Sequence, residues 1–324
     1  MKAILHTKYG SPDVLQLEIV EKPTPNEDEV LVKIHAASVN AYDWHFLTAD
    51  IFLIRFMGGL LKPKDPRLGA DMAGRIEAVG SNVTQFQPGD EVFGIVKGAY
   101  AEFACAPETS LALKPSNASF EEAAALPMAA ASALQGLRDE GKIQAGQKVL
   151  INGASGGLGT FAVQIAKSFG AEVTAVCSSR NVEQAAALGA DHVIDYTKED
   201  FTKSEQRYDL IFAANGYHSL AAYKRVLTDQ GTYVMGGGTT AQMFQVMLWG
   251  SLMSKSGGKR MCGLSAKQNR DDLVFIKNLF ELGKIQSVID RRYPLKDTAD
   301  ALRYLGEGHA RGKIVIQMES AGGD

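Results

Sequence analysis

The 324 residues predict an α/β protein of two domains, a β-rich one first and a doubly wound parallel sheet after it. Three observations carry this reading. Over the first 120 residues, short apolar runs are separated by Gly, Pro and Asn turns. From about Ser119 the texture alternates between helix and strand. At 148–167 an apolar run, a glycine-rich turn and an amphipathic helix follow one another directly. The length suits two domains at about 100–200 residues each.

In the first part the expected strands are 2–6, 14–19, 29–37, 73–79, 91–95 and 101–104. Pro23-Thr24-Pro25-Asn26 blocks helix ahead of the third, and Gln87-Pro88-Gly89-Asp90 supplies turn chemistry ahead of the fifth. An alanine-rich helix is expected over 120–137, opened by Ser119 and Glu122 at the spacing of a capping box. Strands follow at 148–152, 172–177, 192–195, 210–214 and 232–235. They are short, apolar and rich in β-branched residues, as strands covered on both faces must be. The remainder reads as helix 271–282, strand 289–293, helix 298–307 and strand 313–318. Periodicity alone does not say whether this tail extends the second domain or returns to the first.

A net charge of −3 gives no pull toward nucleic acid or anionic lipid, so small molecules or protein are the expected partners. Cys105, Cys177 and Cys262 are far apart, which indicates neither a disulfide framework nor a thiolate metal cluster. Met1 to His6 turn polar too early for an export signal and lack transit-peptide character, so a cytoplasmic location is expected. The most apolar runs, 51–61 and 243–253, fall short of the about 20 residues that span a bilayer, so no stable membrane insertion is expected.

The sharpest signal is Gly153-Ala154-Ser155-Gly156-Gly157-Leu158-Gly159 after the strand 148–152. Glycines at this spacing permit a tight turn, close approach of backbone to a pyrophosphate, and close packing of helix on strand. The alternative, a structural turn that happens to hold glycines, is weaker in this strand–turn–helix context. Ser155, Gly156, Gly157 and Leu158 are therefore expected to bind a dinucleotide. At the end of the next strand, where an acidic residue would hold a ribose 2′-hydroxyl, stand Ser178-Ser179-Arg180. A guanidinium and hydroxyls suit a 2′-phosphate, so NADPH is expected in preference to NADH, with Tyr196 as a further donor. Arg180 as a plain surface charge is the competing reading. Asn215, Gly236 and Gly237 lie at the ends of later strands, where ligands of such sheets bind, although plain turn formation would also place glycine there.

Gly69-Ala70-Asp71-Met72-Ala73-Gly74-Arg75-Ile76-Glu77-Ala78-Val79-Gly80, Gln87-Pro88-Gly89-Asp90-Glu91-Val92-Phe93 and the 152–159 loop occur in order along the chain. With them, the sequence resembles the medium-chain dehydrogenase/reductase superfamily and, within it, the quinone oxidoreductase branch. The resemblance covers essentially the whole chain. It implies a GroES-like catalytic domain over 1–120, completed by 269–324, a Rossmann NADP-binding domain over 121–268, and an active site in the cleft between them. It also implies a homodimer, with sheet edges near 231–237 as the suggested contact. Lys313, on the returning strand, is expected among the cofactor-binding residues.

Alcohol dehydrogenases of this superfamily hold catalytic zinc with a Cys, a His followed by Glu, and a second Cys. The corresponding positions here are Asn40, Ala70 and Met128, and the cysteine-rich lobe of structural zinc is missing, since the segment 93–98 runs directly into 99–102. No zinc is expected. The six histidines show no ligand spacing, and only His45, near Asn40, merits watching. Ser132, four residues after Met128, stands where the family places a nicotinamide-contacting threonine.

Without a Lewis acid, the easier reaction is hydride transfer from NADPH to an acceptor that delocalises the arriving charge: a small apolar quinone or an α,β-unsaturated carbonyl compound. Asn40 is the first expected polar group at the site, with Tyr42 and Ser132 behind it. Asp43 suits capping a helix or pinning the Asn40 loop better than acid catalysis. The apolar stretches 44–64 and 243–253 could wall a substrate cleft or pack as core. Lys255, Lys259 and Arg260 form a small basic cluster, more consistent with a solvated loop than with a lipid or nucleic-acid contact. Two other functions fit the same residues: a non-catalytic NADPH-binding regulator or scaffold, and a reductase of saturated aldehydes or ketones.

Overall fold

The computed structural model describes residues 1–254 and 258–318, with backbone alone at 57, 247, 249 and 251–254. The chain packs as two units, Met1–Met128 with Gln268–Asp324, and Ala129–Lys267.

The first unit begins with a hairpin of β1 (Lys2–Leu5) and β2 (Gln16–Ile19). Then come β3 (Glu29–Val39), α1 (Ala41–Thr48), α2 (Phe52–Gly58), β4 (Asp71–Val79), β5 (Glu91–Ile95), β6 (Phe103–Pro107), β7 (Leu111–Leu113) and α3 (Phe120–Ala124). Val30, Val32 and Ile34 on β3 and Met72 and Ile76 on β4 share one apolar core, while Lys33, His35, Arg75 and Glu77 beside them are exposed. The Ser119–Glu122 capping box forms as the spacing predicts, Ser119 N donating to Glu122 Oε2 at 2.9 Å.

The second unit contains most of α4 (Pro127–Gln135) and then alternates β8 (Lys148–Asn152), α5 (Gly157–Ser168), β9 (Glu172–Cys177), α6 (Val182–Ala187), β10 (His192–Asp195), β11 (Tyr208–Ala213), α7 (Leu220–Arg225), β12 (Leu227–Met235), α8 (Thr240–Ser254) and β13 (Arg260–Gly263). All six strands are parallel in the order β10-β9-β8-β11-β12-β13. The order reverses between β8 and β11, which is the switch point where open sheets of this kind bind ligands.

The tail packs with the first unit through α9 (Arg270–Glu281), β14 (Ile289–Pro294), α10 (Thr298–Gly306) and β15 (Lys313–Gln317). β15 pairs antiparallel with β3, Ile314 opposite Val39, and the sheet runs β14-β15-β3-β4-β5-β7 with β6 also on β3.

Three expectations change. The single helix over 120–137 is broken, because Pro127 has no N–H to continue it and α4 starts afresh there. The residues up to Met128 pack with the first unit, where the Phe120 ring stacks on His35 at 4.2 Å and Met128 N donates to Asp71 Oδ1 at 3.0 Å. Finally, β12 is not a sheet edge. Strand β13, not among the expected elements, pairs along Thr232–Met235, so the edge contact suggested near 231–237 is already occupied within the chain.

Candidate active site

Two groups of functional residues emerge, one in each unit. In the second unit the parallel sheet brings the C-terminal ends of β8 to β12 to one side, and ten of the expected cofactor residues follow those ends. The loop after β8 turns through Gly153, whose φ of 83° is left-handed and whose added Cβ would lie 2.8 Å from Asn215 N. At Gly159 a Cβ would come 2.0 Å from the Gly153 carbonyl, so helix and strand meet closer than any side chain allows. At Gly156, by contrast, a Cβ would find no protein atom nearer than 3.9 Å. This is open space directly before the first N–H groups of the twelve-residue helix α5, which lack intrahelical acceptors. The cradle fits a pyrophosphate.

Beside it, Asn181, which belongs to no motif of the sequence, donates from Nδ2 to Ser155 Oγ at 3.0 Å and to Ser178 Oγ at 3.1 Å. It thus ties the glycine loop to the end of β9, and only the three-dimensional turn reveals it. Arg180 is exposed there, and Tyr196 is exposed just after β10, its N–H donating to Cys177 O at 3.1 Å. The nearby Asp195 carboxylate accepts from Ser179 Oγ at 2.6 Å and Thr197 Oγ1 at 2.7 Å. Those hydrogen bonds hold its pKa well below the usual carboxylate range.

Asn215 donates to Tyr217 Oη at 2.9 Å. Gly236 and Gly237 have packing reasons to be glycine, since Cβ atoms there would meet the Phe212 ring at 2.7 Å and Ala214 O at 2.4 Å. Leu158 covers Gly236. Ser132 lies half-buried on α4.

In the first unit the expected polar site is a buried cluster. Asp71, fully enclosed at the start of β4, accepts at Oδ2 from Ser38 Oγ and from Asn40 Nδ2, both at 3.0 Å, and at Oδ1 from Met128 N at 3.0 Å. Lys313 Nζ donates to Asn40 Oδ1 at 2.5 Å and to Val39 O at 3.4 Å, and lies 3.5 Å from Asp71 Oδ2. The Asn40 N–H donates to Asp43 Oδ2 at 2.8 Å, so Asp43 pins the loop as its position suggests.

Burial pushes the Asp71 carboxyl up, opposed chiefly by the Lys313 charge. It also lowers Lys313, opposed by Asp71 and Asp43. Asp43 is pushed up to about 7, by burial first and then by the Asp71 charge, against the Asn40 N–H and the Tyr100 hydroxyl.

This geometry bears on two of the expected site residues. The Lys313 ammonium is 2% exposed and held by Asn40, Val39 and Asp71. Asn40 spends both ends of its amide on Asp71 and Lys313, which leaves Tyr42, 45% exposed on α1, as the more open polar side chain of that segment. His45 pairs with Asp50 at 2.8 Å.

Of the apolar stretches, Ile54 is core while Phe52 and Phe56 are exposed and meet edge to face at 5.3 Å. Met243, Phe244 and Leu248 are exposed on α8. The side chains of Met57, Met247, Trp249 and Leu252, and Lys255 of the basic cluster, lie outside the described residues. Arg260 of that cluster is paired with Glu140 at 2.6 Å. No helix among the described residues is long and apolar enough to cross a membrane.

Residues 26–116 match the alcohol dehydrogenase GroES-like domain family, and residues 188–316 match the zinc-binding dehydrogenase family. The chain is 33% identical to a chloroplast envelope quinone oxidoreductase homolog of Arabidopsis thaliana over 98% of each. It is 34% identical to an NADPH-dependent alkenal/one oxidoreductase of the same plant, over 98% of this chain and 79% of that one. The solved structure of the quinone oxidoreductase from Coxiella burnetii superposes with a TM-score of 0.88 at 30% identity, covering 98% of this chain and 99% of that one.

The zinc implied by the second family description finds no fitting donors. Asn40 offers an amide already engaged, Ala70 a methyl group and Met128 a thioether, and among the described residues no group of three His, Cys, Asp or Glu side chains could hold a metal. A nicotinamide cofactor, by contrast, suits the cradle of the second unit. From fold, motif order and relatives together, the chain is an oxidoreductase that belongs to the medium-chain dehydrogenase/reductase superfamily.

Proposed function

We propose that the protein is a zinc-independent, NADPH-dependent oxidoreductase that reduces quinones or α,β-unsaturated carbonyl compounds. The observation that carries this reading is the content of the metal position, where Asp71 accepts from Ser38, Asn40 and Met128, Asn40 Oδ1 accepts from Lys313, and among the described residues no group of imidazoles, thiolates or carboxylates could hold a metal. A saturated ketone needs an electrophile to polarise it, whereas a quinone or enone delocalises the incoming charge itself. The relatives named as quinone and alkenal/one oxidoreductases point the same way.

When bound, NADPH supplies the hydride. The chain's own residues bind and orient it: the N–H groups of Gly157 and Leu158 take the pyrophosphate, and Arg180 and Tyr196 take the 2′-phosphate in preference to a bare hydroxyl. Tyr42 is the polar side chain that the first unit offers to a substrate oxygen, and Ser132 is the polar candidate of the second. A homodimer is part of this reading, to be checked by sedimentation.

The test is the initial rate of NADPH oxidation by chelator-treated protein with a conjugated enone, its saturated analogue and a quinone. Turnover of the conjugated acceptors alone is the expected result. Equal turnover of the saturated ketone, or activity abolished by the chelator and restored by zinc, would sink it, and binding of NADPH without turnover would favour a regulatory protein.

A further inference from the structure

The three positions at which a zinc-binding dehydrogenase carries its ligands lie here on three separate segments: the loop after β3, the start of β4, and the start of α4. In such an enzyme the cation ties those segments together. In this chain a single carboxylate does so. Asp71 receives Ser38 Oγ and Asn40 Nδ2 from the first segment and Met128 N from the third, while itself belonging to the second. One cation stands beside it, the Lys313 ammonium, contributed by β15 and fully buried. Lys313 also grips the first segment through Asn40 Oδ1 and Val39 O.

We propose that Lys313 and Asp71 form an internal clamp that takes the structural place of the divalent cation, with Lys313 a positioning residue that fixes the Asn40 loop and the start of α4. The proposal rests on the function proposed above only for its effect on rate. Burying an ammonium and a carboxylate is costly, and the pair stands at the position where a metal's charge would otherwise hold the same elements. Tethering by a lysine also explains why this site has no need of soft donors. The ammonium reaches its partners by donation, so what surrounds it must accept: an amide oxygen, a backbone carbonyl and a carboxylate, as found.

The experiment uses the full chain and the variants Lys313→Met, Asp71→Asn and the double variant. It reads zinc content after dialysis against zinc chloride, thermal unfolding, the NADPH dissociation constant by fluorescence, and kcat and KM with a benzoquinone. The wild type is expected to hold well under one equivalent of zinc. Each single variant should lose about tenfold or more in kcat while NADPH affinity stays within about threefold, because misplacement of the first unit's site affects the reaction and leaves the dinucleotide cradle intact.

The double variant should unfold at a higher temperature than Lys313→Met, since no unpaired carboxylate remains, yet keep the low kcat. Stoichiometric zinc in the wild type overturns the proposal. So does wild-type kcat in Lys313→Met with a lowered melting temperature, which would make the clamp merely structural. Should Lys313→Met not fold, the double variant carries the rate measurement, and wild-type kcat there overturns the clamp equally. A wild type that reduces no acceptor defeats the proposed function, while zinc content and the stability comparison still decide the clamp.

Discussion

Asp71 and Asp195 each anchor one of the two candidate regions, and they do so under opposite electrostatics. Asp195 sits at the end of β10 and accepts from Ser179 and Thr197, and these bonds hold its carboxyl below the ordinary range. Asp71 also accepts several hydrogen bonds, yet burial outweighs them and its carboxyl is pushed up. Counting hydrogen bonds therefore does not rank the two. What separates them is depth: Asp71 is fully enclosed, so desolvation outweighs even the Lys313 charge, whereas the Asp195 side chain keeps 10% exposure and its hydrogen bonds prevail. One region is built from backbone and open space, the other from side chains closed upon one another.

The largest effect expected from breaking that contrast is Asp71→Leu. It leaves the Lys313 ammonium buried without its carboxylate, and stability in urea should fall by about 3–5 kcal/mol. Next come two glycines of the cradle. Gly159→Ala forces the loop and helix apart and should cost about 1–3 kcal/mol together with NADPH binding, since its Cβ would meet the Gly153 carbonyl.

Gly156→Ala should fold normally, within about 0.5 kcal/mol of wild type, yet bind NADPH at least about tenfold more weakly, ~1.4 kcal/mol. Wild-type affinity in that variant would show that no phosphate sits there. Arg180→Ala should narrow the preference for NADPH over NADH by about tenfold, ~1.4 kcal/mol. Unchanged discrimination in competitive titrations would remove Arg180 from the phosphate site.

The smallest effects concern pH. Asp43, near 7 in the folded chain and about 3.9 unfolded, keeps its proton on folding. Its contribution to stability is therefore complete below about pH 4 and is lost as pH rises toward 7. Asp195 acts in the other direction, contributing above the unfolded carboxylate range and losing its contribution as pH falls. Melting temperatures of Asp43→Asn should accordingly decline less than wild type between pH 4 and 7, while Asp195→Asn should flatten only the acid limb. An identical pH profile for all three proteins would refute both assignments.

The second region was the easier to read from sequence because its constraint is local. Gly153 to Gly159 need their residue type for reasons contained in one turn, and β8, β9 and β10 begin and end at the residues expected for them. Its exceptions are instructive. Asn181 has no motif, only a place in the fold, and β13 was omitted because Arg260-Met261-Cys262-Gly263 has neither β-branched residues nor alternation. In the first unit, too, the three-residue β7 is too short to stand out.

The first region resisted for a different reason. That Asn40, Ala70 and Met128 replace ligands could be inferred from motif alignment. That Asn40 faces Lys313, across 273 positions, could not. A lysine at the start of a terminal strand reads as a surface or cofactor charge until a sheet pairing carries it inside.

That pairing has a consequence for biosynthesis. The parallel sheet is drawn from one continuous stretch, so it can assemble as soon as Gly263 has left the ribosome. The mixed sheet has to wait for β15 to be translated, because Ile314 and its neighbours close the side of β3 opposite β4. Until then the nascent chain carries Asp71 with no counter-cation, and a half-made first domain is best tolerated while that carboxylate remains hydrated. Lys313 thus arrives late, and its entry can serve as the step that commits the domain to dehydration and closure.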